Sequence, residues 1–213
     1  MTLTTADGER LEARIARPAA VRGGLVACHP HPLYGGDMDN PVVIRAVEVA
    51  SAHGLATLRF NFRGVGASGG EHGGGIRERR DVSAAIDHLA ACVPRNAPLV
   101  LCGYSFGAAV VAHVVAEHPV AGLAMIAPPL GIAELARLPA WPEAVSVLVV
   151  AGSHDEYCPR AALDRLASER PRARVRVIEG ANHFFFGKLY PLGAALDAWL
   201  GDLLGTPEPA SGA

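Results

Sequence analysis

Leu99-Val-Leu-Cys-Gly-Tyr-Ser-Phe-Gly-Ala-Ala-Val-Val-Ala112 is the stretch that decides the fold. Behind Pro98, the apolar run from Leu99 to Cys102 has the length of a fully buried strand, and Ala108 to Ala112 reads as a buried helix. Between them, Gly103-Tyr-Ser-Phe-Gly107 is a G-x-S-x-G pentapeptide joining strand to helix. A serine at the tip of such a turn projects its Oγ away from the sheet in a strained backbone conformation. The flanking glycines let neighbouring segments approach closely. The helix that follows aims its free N–H groups and positive dipole end back at the serine. The pentapeptide by itself is a weak signal; the apolar strand and helix around it carry the weight.

Outward from this centre, apolar strands alternate with helices. Upstream, Arg10 to Arg17 alternates apolar and polar residues and reads as a half-exposed edge strand. A strand over Gly24 to Cys28 runs into His29-Pro-His-Pro-Leu-Tyr-Gly-Gly36, and Asn40 with Pro41 opens a helix that stops near Gly54. Ala56 to Phe62 is a strand followed by the glycine-rich Arg63 to Gly75, and helix resumes over Ile76 to Ala91. Downstream, strands are expected over Gly122–Ala127, Val145–Ala151 and Val175–Ile178. Helices are expected over Ala161–Glu169 and Leu189–Leu204, with a short helical piece at Ile132–Leu138. This alternation implies a parallel sheet covered on both faces, whose functional site lies at the carboxyl ends of the strands. Four loops leave such ends: His29 to Gly36, Ser105, Asp155, and Asn182-His183.

With 213 residues, half of them hydrophobic, the chain is read as one domain over 1–205 with an ample core; the small polar tail, 206–213, is expected to be disordered. A net charge of −2 shows no electrostatic footprint for nucleic acid. Cys28, Cys92, Cys102 and Cys158 have no metal spacing and read as free thiols, two of them inside apolar runs. Without an N-terminal leader pattern or a membrane-length apolar run, the expectation is a cytoplasmic protein with no membrane partner. A homodimer is left open.

A serine hydroxyl becomes a useful nucleophile when a base takes its proton, and that base needs a carboxylate to fix its tautomer. Asp155 follows a strand 50 residues after Ser105, and His183 follows the next strand 28 residues later. Serine, acid, histidine is the order of the α/β-hydrolase arrangement. Glu156, next door, is the runner-up acid. Asp155 as a mere helix cap and His183 as an ordinary loop histidine are the plainer alternatives.

The chain resembles the α/β-hydrolase fold superfamily over about residues 10 to 203. It is similar to the small lidless bacterial hydrolases, akin to dienelactone hydrolases, that carry H-P-H-P-L-x-G-G, R-F-N-F-R-G-V-G and G-x-S-F-G-A. The matching stretches are His29 to Gly36, Arg59 to Gly66 and Gly103 to Ala108, completed by Gly152-Ser-His-Asp-Glu and Asn182-His-Phe-Phe. The resemblance implies a mostly parallel twisted sheet without a cap domain, with Ser105 as nucleophile, Asp155 as acid, His183 as base, and no cofactor. The motifs say nothing of the substrate; the chain is read as a carboxylesterase acting on a small-molecule ester, with thioesterase or lactone and dienelactone hydrolysis as alternatives on the same residues. A hydrolase fold used only as a binding module stays in view. Where relatives carry a small hydroxyl residue after Gly35-Gly36, this chain has Asp37, with Asp39 nearby. Two carboxylates at the mouth would disfavour anionic substrates.

An oxyanion needs two backbone N–H donors. Phe106 is one. The other comes from His31, Leu33 or Tyr34, since Pro30 and Pro32 have no N–H. Leu33 is preferred because His31-Pro32 best fills the place of a His-Gly pair in relatives. Tyr34, Tyr104 and Trp141 are the expected substrate contacts. The 17 residues between Ala127 and Val145 include four prolines, too little chain for a folded cap. Two further patterns are set aside. Gly64-Val-Gly-Ala-Ser-Gly69 matches a dinucleotide fingerprint, but more glycines intervene before any helix. His29, His31, Asp37 and Asp39 could suggest a metal, but prolines stiffen the segment and no further ligand has the right spacing.

Overall fold

The computed structural model describes residues 1–133 and 135–205. Eight strands form one sheet: β1 (Thr2–Thr4), β2 (Arg10–Ala16), β3 (Gly23–Cys28), β4 (Leu55–Phe60), β5 (Leu99–Tyr104), β6 (Gly122–Ile126), β7 (Ser146–His154) and β8 (Arg174–Asn182). Their spatial order is β1-β2-β4-β3-β5-β6-β7-β8. β1 and β2 pair antiparallel to their neighbours, and every pairing from β4 to β8 is parallel. The chain steps from β3 outward to β4 and then returns to place β5 on the other side of β3. The β3 and β5 ends therefore flank the point where the winding reverses, which is where open α/β sheets bind ligands.

Among the described residues five α-helices cover the sheet: α1 (Pro41–Ala52), α2 (Glu78–Ala90), α3 (Phe106–Val114), α4 (Arg160–Glu169) and α5 (Leu189–Leu204). Strand parity divides the core between two faces. Leu25, Ala27, Val100, Cys102 and Tyr104 pack with α1 and α5, including Trp199. Val26, Cys28, Leu99 and Leu101 pack with α2, α3 and α4. Strands buried on both sides must read as continuous apolar runs, and β3, β5 and β6 are buried at every residue. Asn40 caps α1 as its sequence predicts, its side chain accepting the Val42 N–H at 2.9 Å.

Three elements differ from expectation. β2 is not an edge strand, because β1 pairs along it from Thr2↔Glu12 to Thr4↔Arg10. α2 starts at Glu78, not Ile76, which stays exposed. No helix is assigned at 132–138 among the described residues; Ile132 O takes the N–H groups of Leu135 and Ala136 in a turn that goes no further. The tail expected over 206–213 lies outside the described residues.

Candidate active site

Ser105 sits between β5 and α3 with φ 54° and ψ −115°, a region non-glycine residues rarely occupy. The surroundings hold it there. Its N–H donates to Ile126 O at 2.9 Å. A Cβ on Gly103 would lie 2.3 Å from Gly107 O, and one on Gly107 would lie 2.5 Å from Cys28 O. The two glycines of the pentapeptide are thus required by close backbone packing, which seats the start of α3 against the end of β3.

The loops after β7 and β8 deliver the partners. His183 Nε2 lies 2.9 Å from Ser105 Oγ, and His183 Nδ1 lies 2.9 and 3.0 Å from the two oxygens of Asp155. A carboxylate only accepts, so Nδ1 carries the proton and Nε2 is left to accept from the serine hydroxyl. Asp155 and His183 are 5% and 7% exposed, which keeps water from competing for these bonds. Asp155 Oδ1 also accepts the N–H groups of Tyr157 and Cys158, both at 2.9 Å. Glu156 points to solvent. Tyr104 donates its hydroxyl to His183 O at 3.0 Å, so it braces the histidine backbone from below; burial, then the Asp155 charge, raises its pKa. Tyr157 lies against the His183 ring, centroids 4.7 Å apart.

An open cavity of about 460 Å³ lies over Ser105. His31, Tyr34, Tyr104, Phe106, Tyr157 and Phe184 supply its rings, and Pro129, Ile132 and Leu135 its aliphatic side. Among the described residues, none that line it is a lysine, arginine, aspartate or glutamate.

Several expected positions move. Leu33 does not line the cavity; it is exposed, and its N–H donates to His31 Nδ1 at 3.2 Å within a 3₁₀ turn, Pro32–Tyr34. His31 lines the cavity, and no acceptor is found for its N–H among the described residues. Trp141 also lies off the cavity. Its ring packs on the core beneath Arg170, whose guanidinium carbon is 4.6 Å from the ring centroid. Asp37 and Asp39 do not line the cavity, and Asp39 is paired with Arg14 and Arg59 at 3.2 and 3.0 Å. His29 is fully buried. Its Nδ1–H donates to Pro30 O at 2.6 Å and its Nε2 accepts the Phe62 N–H at 3.0 Å, and burial lowers its pKa to about 4. Both ring nitrogens are thereby used in holding the loop. Gly64 to Gly69 closes on itself, Gly64 N–H to Gly69 O at 3.0 Å, and opens no helix. Cys28, Cys102 and Cys158 are buried free thiols with raised pKa values, through desolvation first.

The family model described as serine aminopeptidase, S33, matches residues 43–147. An α/β serine hydrolase homologue from Coxiella burnetii is 34% identical, with a TM-score of 0.82, over 93% of this chain and 95% of that one. An α/β serine hydrolase without a lid from Xanthomonas campestris is 31% identical, with a TM-score of 0.87, over 97% and 95%. An uncharacterised protein of Rickettsia prowazekii is 30% identical over 90% of this chain and 84% of its own length. The chain belongs to the lidless α/β serine hydrolases. Among its described residues no helix is long and apolar enough to cross a membrane.

Proposed function

We propose that this hydrolase is a serine carboxylesterase for small to medium neutral esters, working through an acyl-enzyme on Ser105. The observation that carries the reading is the unbroken hydrogen-bonded run from Ser105 Oγ through His183 to the buried Asp155, opening into an uncharged cavity. His183 Nε2 takes the hydroxyl proton as Oγ attacks the ester carbonyl, and Asp155 stabilises the imidazolium that results. The Phe106 N–H, in the first turn of α3, has no intrahelical acceptor and meets the developing oxyanion. The second donor we assign to the His31 N–H, because the Leu33 N–H is occupied. His183 returns the proton to the leaving alcohol, and water repeats the sequence to release the acid.

The family description names aminopeptidases. Binding a free ammonium calls for a carboxylate in the cavity, and among the described lining residues there is none. Thioesters and lactones meet the same machinery and remain within the class. The open cavity gives long acyl chains little apolar cover, each methylene left in water forgoing about 0.8 kcal/mol. The test is kcat/KM for p-nitrophenyl esters from acetate to palmitate, beside a thioester, a lactone and an aminoacyl p-nitroanilide, with a fluorophosphonate label mapped by peptide mass spectrometry. Short to medium esters should lead and Ser105 should carry the label. A maximum at laurate or longer, faster anilide hydrolysis, or a label elsewhere would overturn the reading.

A further inference from the structure

The glycine-rich loop between β4 and α2 has no part in the chemistry above, yet it places one ring beside the serine's neighbours. His72 from this loop lies 4.8 Å, centroid to centroid, from the ring of His31 and 5.3 Å from that of Phe106; His31 and Phe106 are themselves 4.9 Å apart. These three rings form a closed triangle. Two of its corners are the residues whose backbone N–H groups face the oxyanion in the reading above, one on the loop after β3 and one at the head of α3. The third corner belongs to neither element.

His72 is itself fixed from behind. Its Nδ1 lies 2.9 Å from Glu78 Oε1, in contact though outside good hydrogen-bond geometry. Glu78 is fully buried at the start of α2, and its other contacts are the loop's own N–H groups: Gly73 at 2.6 Å and Gly75 at 2.8 Å. A buried carboxylate with those partners ties the loop that carries His72 to the start of α2. On its far side, Phe106 rests edge-on against Phe62, 5.6 Å away, so it cannot retreat from the triangle. His31, by contrast, sits on a half-exposed loop, and its one further ring neighbour among the described residues is the exposed Tyr34.

We propose that His72 is a positioning residue that sets the spacing of the His31 and Phe106 N–H donors by packing against both of their side chains at once. The proposal rests on the esterase reading of Ser105 and adds to it the origin of donor geometry. Two donors on separate elements must meet one oxygen, and an error of about 1 Å in such a placement costs as much as 10²-fold in rate. Substrate binding draws on the whole cavity wall, of which His72 touches only the His31 and Phe106 corner, and should change far less than the rate.

The test compares His72→Ala and His72→Phe with the wild type, measuring kcat, KM, melting temperature and the Ki of an aryl trifluoromethyl ketone, whose serine adduct places an oxyanion between the two donors. Removing the ring should lower kcat by about 10- to 100-fold, with KM and melting temperature nearly unchanged. Ki should rise by the same factor as kcat/KM falls. Phenylalanine, which keeps a flat ring in the triangle, should restore most of the loss. Should the alanine variant fail to fold, His72→Gln fills the space without a ring and takes its place. Unchanged kcat in the ring-less variant, no recovery with phenylalanine, or a Ki that stays put while kcat falls would overturn the proposal. Turnover that survives Ser105→Ala would overturn the esterase reading together with it, whereas Ser105-dependent turnover indifferent to His72 overturns this proposal alone.

Discussion

The described residues hold two serine–histidine–aspartate arrangements, and they differ sharply in what surrounds them. In the second, Ser83 Oγ lies 3.0 Å from His118 Nε2, and His118 Nδ1 lies 3.8 Å from Asp87 Oδ1. Judged by residue types and heavy-atom distances, it approaches the arrangement at Ser105. The differences lie in the surroundings. Ser83 is in the middle of α2, where backbone N–H groups are spent on the helix, so no donor is left for an oxyanion. Asp87 is three-quarters exposed, and 3.8 Å is beyond hydrogen-bond reach, so nothing fixes the His118 tautomer. Ser105 instead sits at a strained turn before the free end of α3, and Asp155 is buried and held by two N–H groups. A triad is therefore three side chains plus the backbone that aims charge at them, and the backbone is the part that residue lists omit.

The comparison can be broken most directly at the serines. Ser105→Ala should keep the fold and cost on the order of 10⁶ in kcat, measured with p-nitrophenyl butyrate; a comparable loss in Ser83→Ala would reverse the assignment. The acids come next. Asp155→Asn preserves shape but offers His183 an amide and favours the wrong tautomer, at about 10⁴ in kcat. Asp87→Asn and Glu156→Gln should stay within a few-fold of wild type, and the neighbouring acids trading ranks would make Glu156 the partner of His183.

A smaller effect probes what lies beneath the Ser105 region alone. His29 is neutral when folded, with a pKa lowered to about 4 from 6.5, and takes up a proton on unfolding. Its contribution is complete above pH 6.5 and is lost as pH falls toward 4, by roughly 1.4 kcal/mol per unit. Urea unfolding across that range should show His29→Gln, which can still accept the Phe62 N–H, with a shallower loss than wild type. Equal slopes would mean that the imidazole is not held neutral. Smallest of all, Ser83→Ala should move both turnover and stability by little, its hydrogen bond contributing about 1 kcal/mol at most.

Much of this was legible in the chain because the deciding signals are local. The turn at Ser105, the cap at Asn40 and the buried strands are each written within a dozen residues. Asp155 and His183 could be chosen because each follows an apolar strand, and strand ends in a parallel sheet converge. What was not legible depends on partners distant in sequence. β1 is three residues long and has no pattern of its own; β2 defines it. Leu33 loses its N–H to the His31 ring through a turn no spacing announces. Trp141 turns to Arg170, and Asp39 to Arg14 and Arg59, partners 20 or more residues away. His72 stands in a run of glycines that announces no side-chain role, and the encounter of Ser83 with His118 needs α2 and the end of α3 side by side. A sequence reports what each segment offers; which offers are taken up is decided by packing.

The connection between β6 and β7 bears on how such a scaffold changes over time. Its two ends are anchored separately: the Ala127 N–H to Val150 O at 2.7 Å and the Ser146 N–H to Ala121 O at 3.0 Å. Ile132 and Leu135 between them line the cavity. Extra chain inserted there would leave both anchors and every strand pairing intact, and doubling a loop's length costs only about 0.6 kcal/mol in closure entropy. The connection is thus a splice point directly over the nucleophile. Grafting a helical hairpin into it would exchange an open bench, where substrates come and go, for a roofed chamber with its own selectivity, while the hydrolytic parts below stay as they are.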